Sequence, residues 1–426
     1  MKPENLKPAK RLLGEVALPG DKSISHRAIM CGAIAKGKTV AIDILDCDDC
    51  NYTINAFKNM GVRFDRDDRD TIIHGVGLNG LKKPAKPIDM GNSGTSMRIL
   101  AGILAGQAFE STLIGDEALS KRPMRRIIEP LEMMGVNITA SPEGFPPLKI
   151  KGGTVKPIYY KLPVPSAQVK SAVLFAGLHA FGHTTVEEDV KSRDHTERMM
   201  RYFGADIKVA GLKISVNGLK EMTGKEFNIP GDISSASFFA AGAILLNNSR
   251  IRINKVSVNP TRAGILNILS RMGARLNVLN KADNFEPYGD IEVESGPLKG
   301  IKINENDIPG IIDELPIIFV LASLAKGRTV IKGAEELRVK ETDRIVSMKE
   351  NLEKMGGKVS VEKDQIVIDG VKKLRGAAVK SYGDHRTCMS MAIAALAAEG
   401  ESSIDDVECV NKSFPGFFKL LDIIKC

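Results

Sequence analysis

The amino-acid sequence predicts an α/β protein in two bodies, each assembled from three similar units. Three observations carry this. An apolar helix opening on polar residues is written six times, at Lys22, Ser93, Ser166, Asp232, Asp313 and Gly383, with starts 71, 73, 66, 81 and 70 residues apart. A near-constant period of this length marks a repeated supersecondary unit. A short phrase recurs between them, as NMGV at 59–62, MMGV at 133–136, YFGA at 202–205, RMGA at 271–274 and KMGG at 354–357. Finally, the break VALPGD at 16–21 returns as FNIPGD at 227–232, which divides six units into three and three. The expected first lobe is 21–231, and the second is 1–20 with 232–426, with hinges near 20–21 and 230–232.

Taken in order, residues 11–20 alternate as a strand and stop at Pro19 and Gly20, after which the first apolar helix begins at once. Each apolar helix starts on Ser, Asp or Gly, residue types that accept a helix's unpaired N–H groups. The helix bodies are rich in Ala, Ile, Leu and Met with few charges on any side, so protein is expected all round them. After each comes a β-rich stretch (KTVAIDIL, ESTLIG, HTTVEE, SRIRIN, RTVIKG, ESSIDDV), then a more polar helix ending in the recurring Gly phrase. Gly behind an apolar residue is how a helix turns left-handed out of its last turn. Alternating strands follow (RFDRD, NITAS, DIKVA, RLNVL, KVSVE), so one unit reads helix, strand, helix, strand, strand, or a circular shift of it.

Composition narrows the function. Lys and Arg number 60 against 52 Asp and Glu in 426 residues, a modest excess spread along the chain, which suits small anionic molecules as well as nucleic acid. Trp is absent and aromatics are scarce, which argues against base-stacking surfaces. The longest apolar runs, IIFVLASLA at 317–325 and FFAAGAILL at 238–246, are too short for a membrane span. The N-terminus lacks a secretory h-region, so a cytosolic protein with thiol cysteines is expected. Cys47 and Cys50 read as a Cys-containing turn rather than half a zinc site, and His179 and His183 as a helix C-terminal cap rather than a metal pair.

Costly residues gather at the apolar helix starts. Lys22, Ser23 and Arg27 open the first; Asn92, Gly94, Thr95 and Arg98 surround the second, where Gly94 lets backbone amides approach an anion. SKRPMRRIIEPL (120–131) offers Arg122 from a loop before Pro123, a proline placed to start a helix, while Arg125 and Arg126 read as a solvated helix start. Ser166 and Gln168 open the third. The second body adds Asp313 and Glu314, then RVKETDRI at 338–345, GDHR at 383–386, and Asn411 with Lys412. If 338–345 is helical, Lys340 and Arg344 share a face with Glu341 close by. Opposed groups of Lys and Arg across a hinge suit a ligand pair carrying several negative charges. The chain has no Walker loop, no G-x-G-x-x-G after a strand and no metal-spaced cluster, so nucleotide with magnesium and dinucleotide are not expected.

LPGDKSISHR, GNSGTSMR, KRPM, SAQVKSA, RDHTER, GDISSASFF, DELP, RVKETDR and GDHR occur in that order, and in them the chain resembles the enolpyruvyl transferase family, in the branch acting on shikimate 3-phosphate. The resemblance runs the full length. It implies two lobes, each an inside-out α/β barrel of three βαβαββ repeats around buried parallel helices. It also implies a reaction in which phosphoenolpyruvate gives its enolpyruvyl group to the 5-hydroxyl of shikimate 3-phosphate through a tetrahedral ketal, releasing phosphate, with no metal or organic cofactor. Residue by residue it places Lys22, Ser23, Arg27, Ser166, Gln168, Asp313 and Lys340 on shikimate 3-phosphate. It places Lys22, Gly94, Arg122, Gln168, Arg344, Arg386 and Lys412 on phosphoenolpyruvate. Asp313 is implied as proton acceptor from the attacking hydroxyl and Glu341 as donor to the enolpyruvyl methylene, with Lys22 touching both substrates. Partners beyond these small molecules are not implied, and a monomer is expected.

Two positions depart from some members, Ala167 where a second Ser can stand and Glu336 where many carry Asn; Ser192 and His195 lie in a segment that differs between branches. Gly94 leaves space that glyphosate occupies in sensitive members. The rival readings are transfer to UDP-N-acetylglucosamine, which that branch performs with a reactive Cys absent from 111–126 here, and phosphate-backbone binding by a related repeat fold.

Overall fold

The computed structural model describes residues 2–362 and 365–426. The chain divides into two units, Met1–Pro19 with Pro230–Cys426, and Gly20–Ile229. In Gly20–Ile229 the α-helices are α1 (Lys22–Ile34), α2 (Asp48–Asn59), α3 (Gly94–Ala105), α4 (Arg125–Met133), α5 (Ala167–Gly177) and α6 (His195–Tyr202). In the other unit they are α7 (Ile233–Leu245), α8 (Gly264–Arg271), α9 (Leu315–Leu324), α10 (Arg344–Lys354), α11 (His385–Leu396) and α12 (Phe417–Ile424). No helix among the described residues is long and apolar enough to cross a membrane.

The odd-numbered helices are the six apolar ones, and protein encloses them. Every residue of α7 from Ile233 to Ile244 is buried, as are all of α11 and the stretch Ile24–Ile34 of α1. Sheets flank them, with strands that alternate buried and exposed, so each unit keeps its helices inside and its strands outside, the arrangement of an inside-out α/β barrel. Close approach of the helices is written into small residues: a Cβ on Gly102 of α3 would lie 2.1 Å from the Ala172 carbonyl oxygen of α5. In the unit containing both termini one hydrophobic core runs from Leu6 to Ile424, with Phe238, Phe239, Phe414 and Phe417 meeting edge-on at 5.6–6.0 Å.

Each repeat forms its own sheet. Strands Ile88–Asp89 and Glu110–Ile114 pair in parallel across α3, as do Tyr159–Lys161 and His183–Glu187 across α5, and Lys302–Ile303 and Arg328–Lys332 across α9. A hairpin then adds two antiparallel strands. At the two crossings between units the first strands are exchanged. Strand Leu13–Ala17 leads into α1 yet pairs in parallel with Arg250–Ser257, which follows α7; Glu226–Asn228 leads into α7 yet pairs with Lys36–Ile42, which follows α1. The sixth repeat has no closing hairpin among its described residues; its sheet has three strands, with Ser402–Ile404 paired in parallel to Ala378–Val379 and antiparallel to the N-terminal Glu4–Leu6.

The recurring Gly phrase ends α2, α4, α6, α8 and α10, with Gly61, Gly135, Gly204, Gly273 and Gly356 at φ of 86–94°, the left-handed conformation a Cβ disfavours.

Three local expectations are corrected. Residues 338–345 are not one helix: Glu335–Val339 is a 3-10 turn, Lys340 is extended, and α10 starts at Arg344 because Asp343 caps it, accepting from the Ile345 and Val346 N–H groups at 3.0 and 3.1 Å. Pro123 lies outside α4, which starts two residues later, after a 3-10 turn at Leu119–Lys121. His179 and His183 do not share a helix; α5 ends at Gly177, a left-handed Gly182 turns the chain, and His183 opens a strand. Among the described residues no group of His, Cys, Asp or Glu is placed to hold a metal ion. Cys47 caps α2 and Cys50 lies in its first turn, both buried thiols.

Candidate active site

In Gly20–Ile229 the expected residues lie in the opening turns of α1, α3 and α5 and in the loop before α4. Asp21 caps α1, its Oδ1 accepting from the Ile24 N–H at 2.9 Å, and this sets Lys22, Ser23 and Arg27 on the opening turns. Lys22 Nζ donates to Asp49 Oδ2 of α2 at 3.0 Å, with both side chains mostly out of water. Arg27 is buried and committed at three nitrogens: Nη1 to the Ser23 carbonyl (2.9 Å), Nε to Thr196 Oγ1 (2.6 Å) and Nη2 to Ser171 Oγ (3.0 Å). Burial, reinforced by the charge of Arg193, pushes its guanidinium down to about 10, which still leaves it charged at neutral pH. Arg193 Nη1 also donates to Ser23 Oγ at 3.4 Å.

At α3 a buried chain of hydroxyls ties three helices together: Thr53 Oγ1 of α2 lies 2.8 Å from His26 Nδ1 of α1 and 2.6 Å from Ser96 Oγ, which lies 2.7 Å from the capping Ser93 Oγ. Burial, then the charges of Lys22 and Arg27, keep the His26 imidazole well below its usual range, so it is neutral. Gly94 follows the cap, and a Cβ there would lie 3.0 Å from Arg122 Cζ and Nη1. Arg98 organises what surrounds it, with Nη1 donating to Gln168 Oε1 at 2.7 Å and Nη2 to the Pro123 carbonyl at 3.1 Å; Gln168 Nε2 in turn donates to Thr95 Oγ1 at 2.9 Å. Gln168 is thereby held at both ends of its amide. Ser166 caps α5 through a 3.4 Å bond from the Val169 N–H, with Ala167 its first residue. Ser192 and His195 are buried, and Ser192 Oγ donates to Glu188.

The unit of Pro230–Cys426 builds its cluster around one guanidinium. Buried Arg344 presents Nε to Asp384 Oδ2 at 2.8 Å, Nη2 to Glu341 Oε2 at 2.5 Å and Nη1 to Asp313 Oδ1 at 3.6 Å. Burial works against its charge, but the three carboxylates, Asp384 first, outweigh that and hold it firmly protonated. Arg386 Nη1 donates to the Asp313 carbonyl at 2.9 Å, and its Nε stands 3.8 Å from Asp313 Oδ1. Lys412 Nζ donates to the Gly383 carbonyl at 2.9 Å. Lys340, partly buried, is pushed down to about 8 by desolvation against the opposing pull of Asp313 and Glu336.

Each unit thus brings its expected residues together. In one, Arg27 ties Ser23 to α5 and α6 and Arg98 holds Gln168 beside the Gly94 turn that Arg122 approaches, while Lys22 bonds Asp49 and Ser166 the Val169 N–H. In the other, Asp313, Glu341 and Asp384 surround the Arg344 guanidinium, Arg386 stands against Asp313, Lys340 lies in the field of Asp313 and Glu336, and Lys412 bonds at Gly383, three residues before Arg386. Sequence reasoning missed Asp49 behind Lys22, Asp384 behind Arg344, and buried Lys170, whose Nζ lies 2.8 Å from Glu188 and 2.7 Å from Glu197. A charge inside an apolar helix body was the available sign for Lys170; nothing local marked Asp49. Chemically the clusters offer guanidinium forks for carboxylate and phosphate, and, among the three carboxylates on Arg344, Asp313 and Glu341 as groups that can exchange protons.

Residues 6–421 match the family model described as EPSP synthase (3-phosphoshikimate 1-carboxyvinyltransferase). The chain is 48% identical over 419 residues to the 3-phosphoshikimate 1-carboxyvinyltransferase of Bacillus cytotoxicus, covering 98% of this chain and 99% of that one. It is 49% identical over 425 residues to that of Geotalea uraniireducens, covering 99% of each. Among solved structures it is similar to EPSP synthase from Acinetobacter baumannii, with a TM-score of 0.88 and 44% identity over 99% of this chain and 98% of that one. The enolpyruvyl transferase NikO from Streptomyces tendae shares the fold, with a TM-score of 0.80 at 17% identity over 99% of this chain and 97% of that one.

Proposed function

The chain belongs to the EPSP synthase family, and we propose a division of labour among its residues for that family's reaction. The enzyme transfers the enolpyruvyl group of phosphoenolpyruvate to the 5-hydroxyl of shikimate 3-phosphate, a step of the shikimate pathway to aromatic amino acids. Lys22, Ser23, Arg27, Ser166, Gln168 and Lys340 bind shikimate 3-phosphate; Lys22, Gly94, Arg122, Gln168, Arg344, Arg386 and Lys412 bind phosphoenolpyruvate. Asp313 takes the proton of the attacking hydroxyl as the C–O bond forms at the enol carbon, and Glu341 delivers a proton to the methylene, making the methyl group of a tetrahedral ketal. Loss of a methyl proton then restores the double bond as the C–O bond to phosphate breaks. The reading requires no metal, organic cofactor or second chain, and goes with a cytosolic monomer.

The observation that carries this reading is Arg344, which touches both the assigned base and the assigned acid, Asp313 at 3.6 Å and Glu341 at 2.5 Å. An ion pair favours the ionised carboxylate. When the carboxylate of phosphoenolpyruvate engages Arg344, Glu341 loses that partner and its proton affinity rises, so the acid is armed by the substrate it protonates. Phosphate release is the test. It is expected only with both substrates present; release from phosphoenolpyruvate alone, or none with both, would overturn the assignment.

A further inference from the structure

Behind Arg386 lies a buried ion pair of Glu314 and Arg262. Glu314, the capping residue of α9, is wholly buried; its Oε2 accepts from Arg262 Nη1 at 2.8 Å, and its Oε1 accepts from Ser234 Oγ. Arg262, also buried, donates through Nη2 to the same Ser234 hydroxyl and stands 3.9 Å from Asp232 Oδ1, so α7, α8's leading turn and α9 are joined at one point. Glu314 Oε1 is 3.8 Å from Arg386 Nη1, the nitrogen that donates to the carbonyl of the preceding residue, Asp313. One arginine nitrogen is therefore gripped from two adjacent residues. The pattern repeats at Arg344, whose Nε is backed by buried Asp384 at 2.8 Å.

We infer that Glu314, with Arg262, is a positioning residue that aims Arg386 at phosphoenolpyruvate and holds the Asp313 backbone, without touching either substrate. The inference rests on the assignment of Arg386 to phosphoenolpyruvate. The physical ground is that a buried carboxylate–guanidinium pair adds little net stability over an apolar pair of similar volume, so what this pair contributes beside Arg386 is geometry rather than stability. A carboxylate 3.8 Å from Arg386 attracts the guanidinium without taking up one of its N–H groups in a hydrogen bond.

Two variants test it. Glu314→Gln keeps the shape and can still bond Arg262 and Ser234 but carries no charge; Arg262→Met with Glu314→Leu removes the pair together, sparing the fold an unpaired buried charge. Both are expected to raise the KM for phosphoenolpyruvate roughly tenfold, the scale of one misplaced charge-assisted hydrogen bond. The kcat should fall by less, and calorimetric binding of shikimate 3-phosphate alone should change by less than about threefold on the same scale. If Glu314→Gln does not melt cooperatively, the double variant decides. A phosphoenolpyruvate KM within about twofold of the parent in a folded variant, or equal losses for both substrates, overturns the inference. Arg386→Ala, measured alongside, separates the causes. If it raises that KM and the Glu314 variants do not, the positioning role alone fails; if it leaves that KM unchanged, the site assignment fails and the inference with it.

Discussion

At Glu341 the resting geometry and the assigned role pull in opposite directions, since an ion pair such as its 2.5 Å contact with Arg344 favours a charged carboxylate while a donor must carry a proton. Glu341→Gln removes proton transfer but keeps the size and one hydrogen-bonding oxygen. Turnover is expected to fall by roughly 10²–10⁴-fold, the range for a lost general acid, with phosphoenolpyruvate affinity changed only severalfold; near-normal turnover would remove Glu341 from the mechanism. Lys340 supplies a pH dependence. Desolvation lowers its ammonium from 10.5 to about 8, so its charge is lost in the folded protein as pH climbs through that value. Binding of shikimate 3-phosphate should therefore weaken above about pH 8, and Lys340→Arg should abolish that limb. The stability sign is opposite: between 8 and 10.5 the unfolded chain binds the proton that the folded chain has released, so Lys340's destabilising contribution shrinks as pH rises across that window. At Gly94 a Cβ 3.0 Å from the Arg122 guanidinium would push it aside. Gly94→Ala is expected to raise the phosphoenolpyruvate KM and to weaken glyphosate, which should compete with phosphoenolpyruvate in initial-rate assays of the parent; absence of competition at millimolar inhibitor would contradict the shared site.

Among the elements, the glycines separate backbone strain from crowding. Gly204 ends α6 at φ 94° with nothing within 4 Å of its would-be Cβ, so Gly204→Ala should cost only the left-handed penalty, about 1–2 kcal/mol in urea unfolding, with activity unchanged. Gly102→Ala should cost more, because its methyl meets the Ala172 carbonyl at 2.1 Å and α3 must move off α5; equal losses at the two sites would refute the distinction. These features were legible beforehand because they are local: a cap, a left-handed Gly, an apolar helix body. In 338–345 the charge spacing is compatible with a helix, but Asp343 is the stronger local signal and starts the helix only at Arg344. Partners distant in sequence were invisible. Lys22 meets Asp49 across 27 residues, Arg344 meets Asp384 across 40 and Arg262 meets Glu314 across 52, and no periodicity encodes such pairings.

For the molecule as a whole, the exchange of leading strands makes the two units unequal as pieces of chain. Residues 20–229 are continuous and contain every strand of their three sheets, including Glu226–Asn228, which completes the sheet led by Lys36–Ile42. Residues 230–426 do not. Their sheet with Arg250–Ser257 takes its edge from Leu13–Ala17, and their last sheet takes Glu4–Leu6, so without residues 1–19 two edges and the core positions of Leu6, Leu12 and Val16 are laid open. Unpaired edges beside exposed apolar surface recruit other chains. A fragment of residues 20–229 is therefore expected to purify as a monomer with one cooperative melt, whereas 230–426 alone should aggregate or lack a cooperative transition. Grafting residues 1–19 back through a flexible linker, or adding them as a peptide, should restore solubility to the second fragment. Size-exclusion chromatography and circular dichroism melting read both outcomes, and a fragment of 230–426 as soluble and cooperative as 20–229 would show that the borrowed strands are dispensable to the unit they complete.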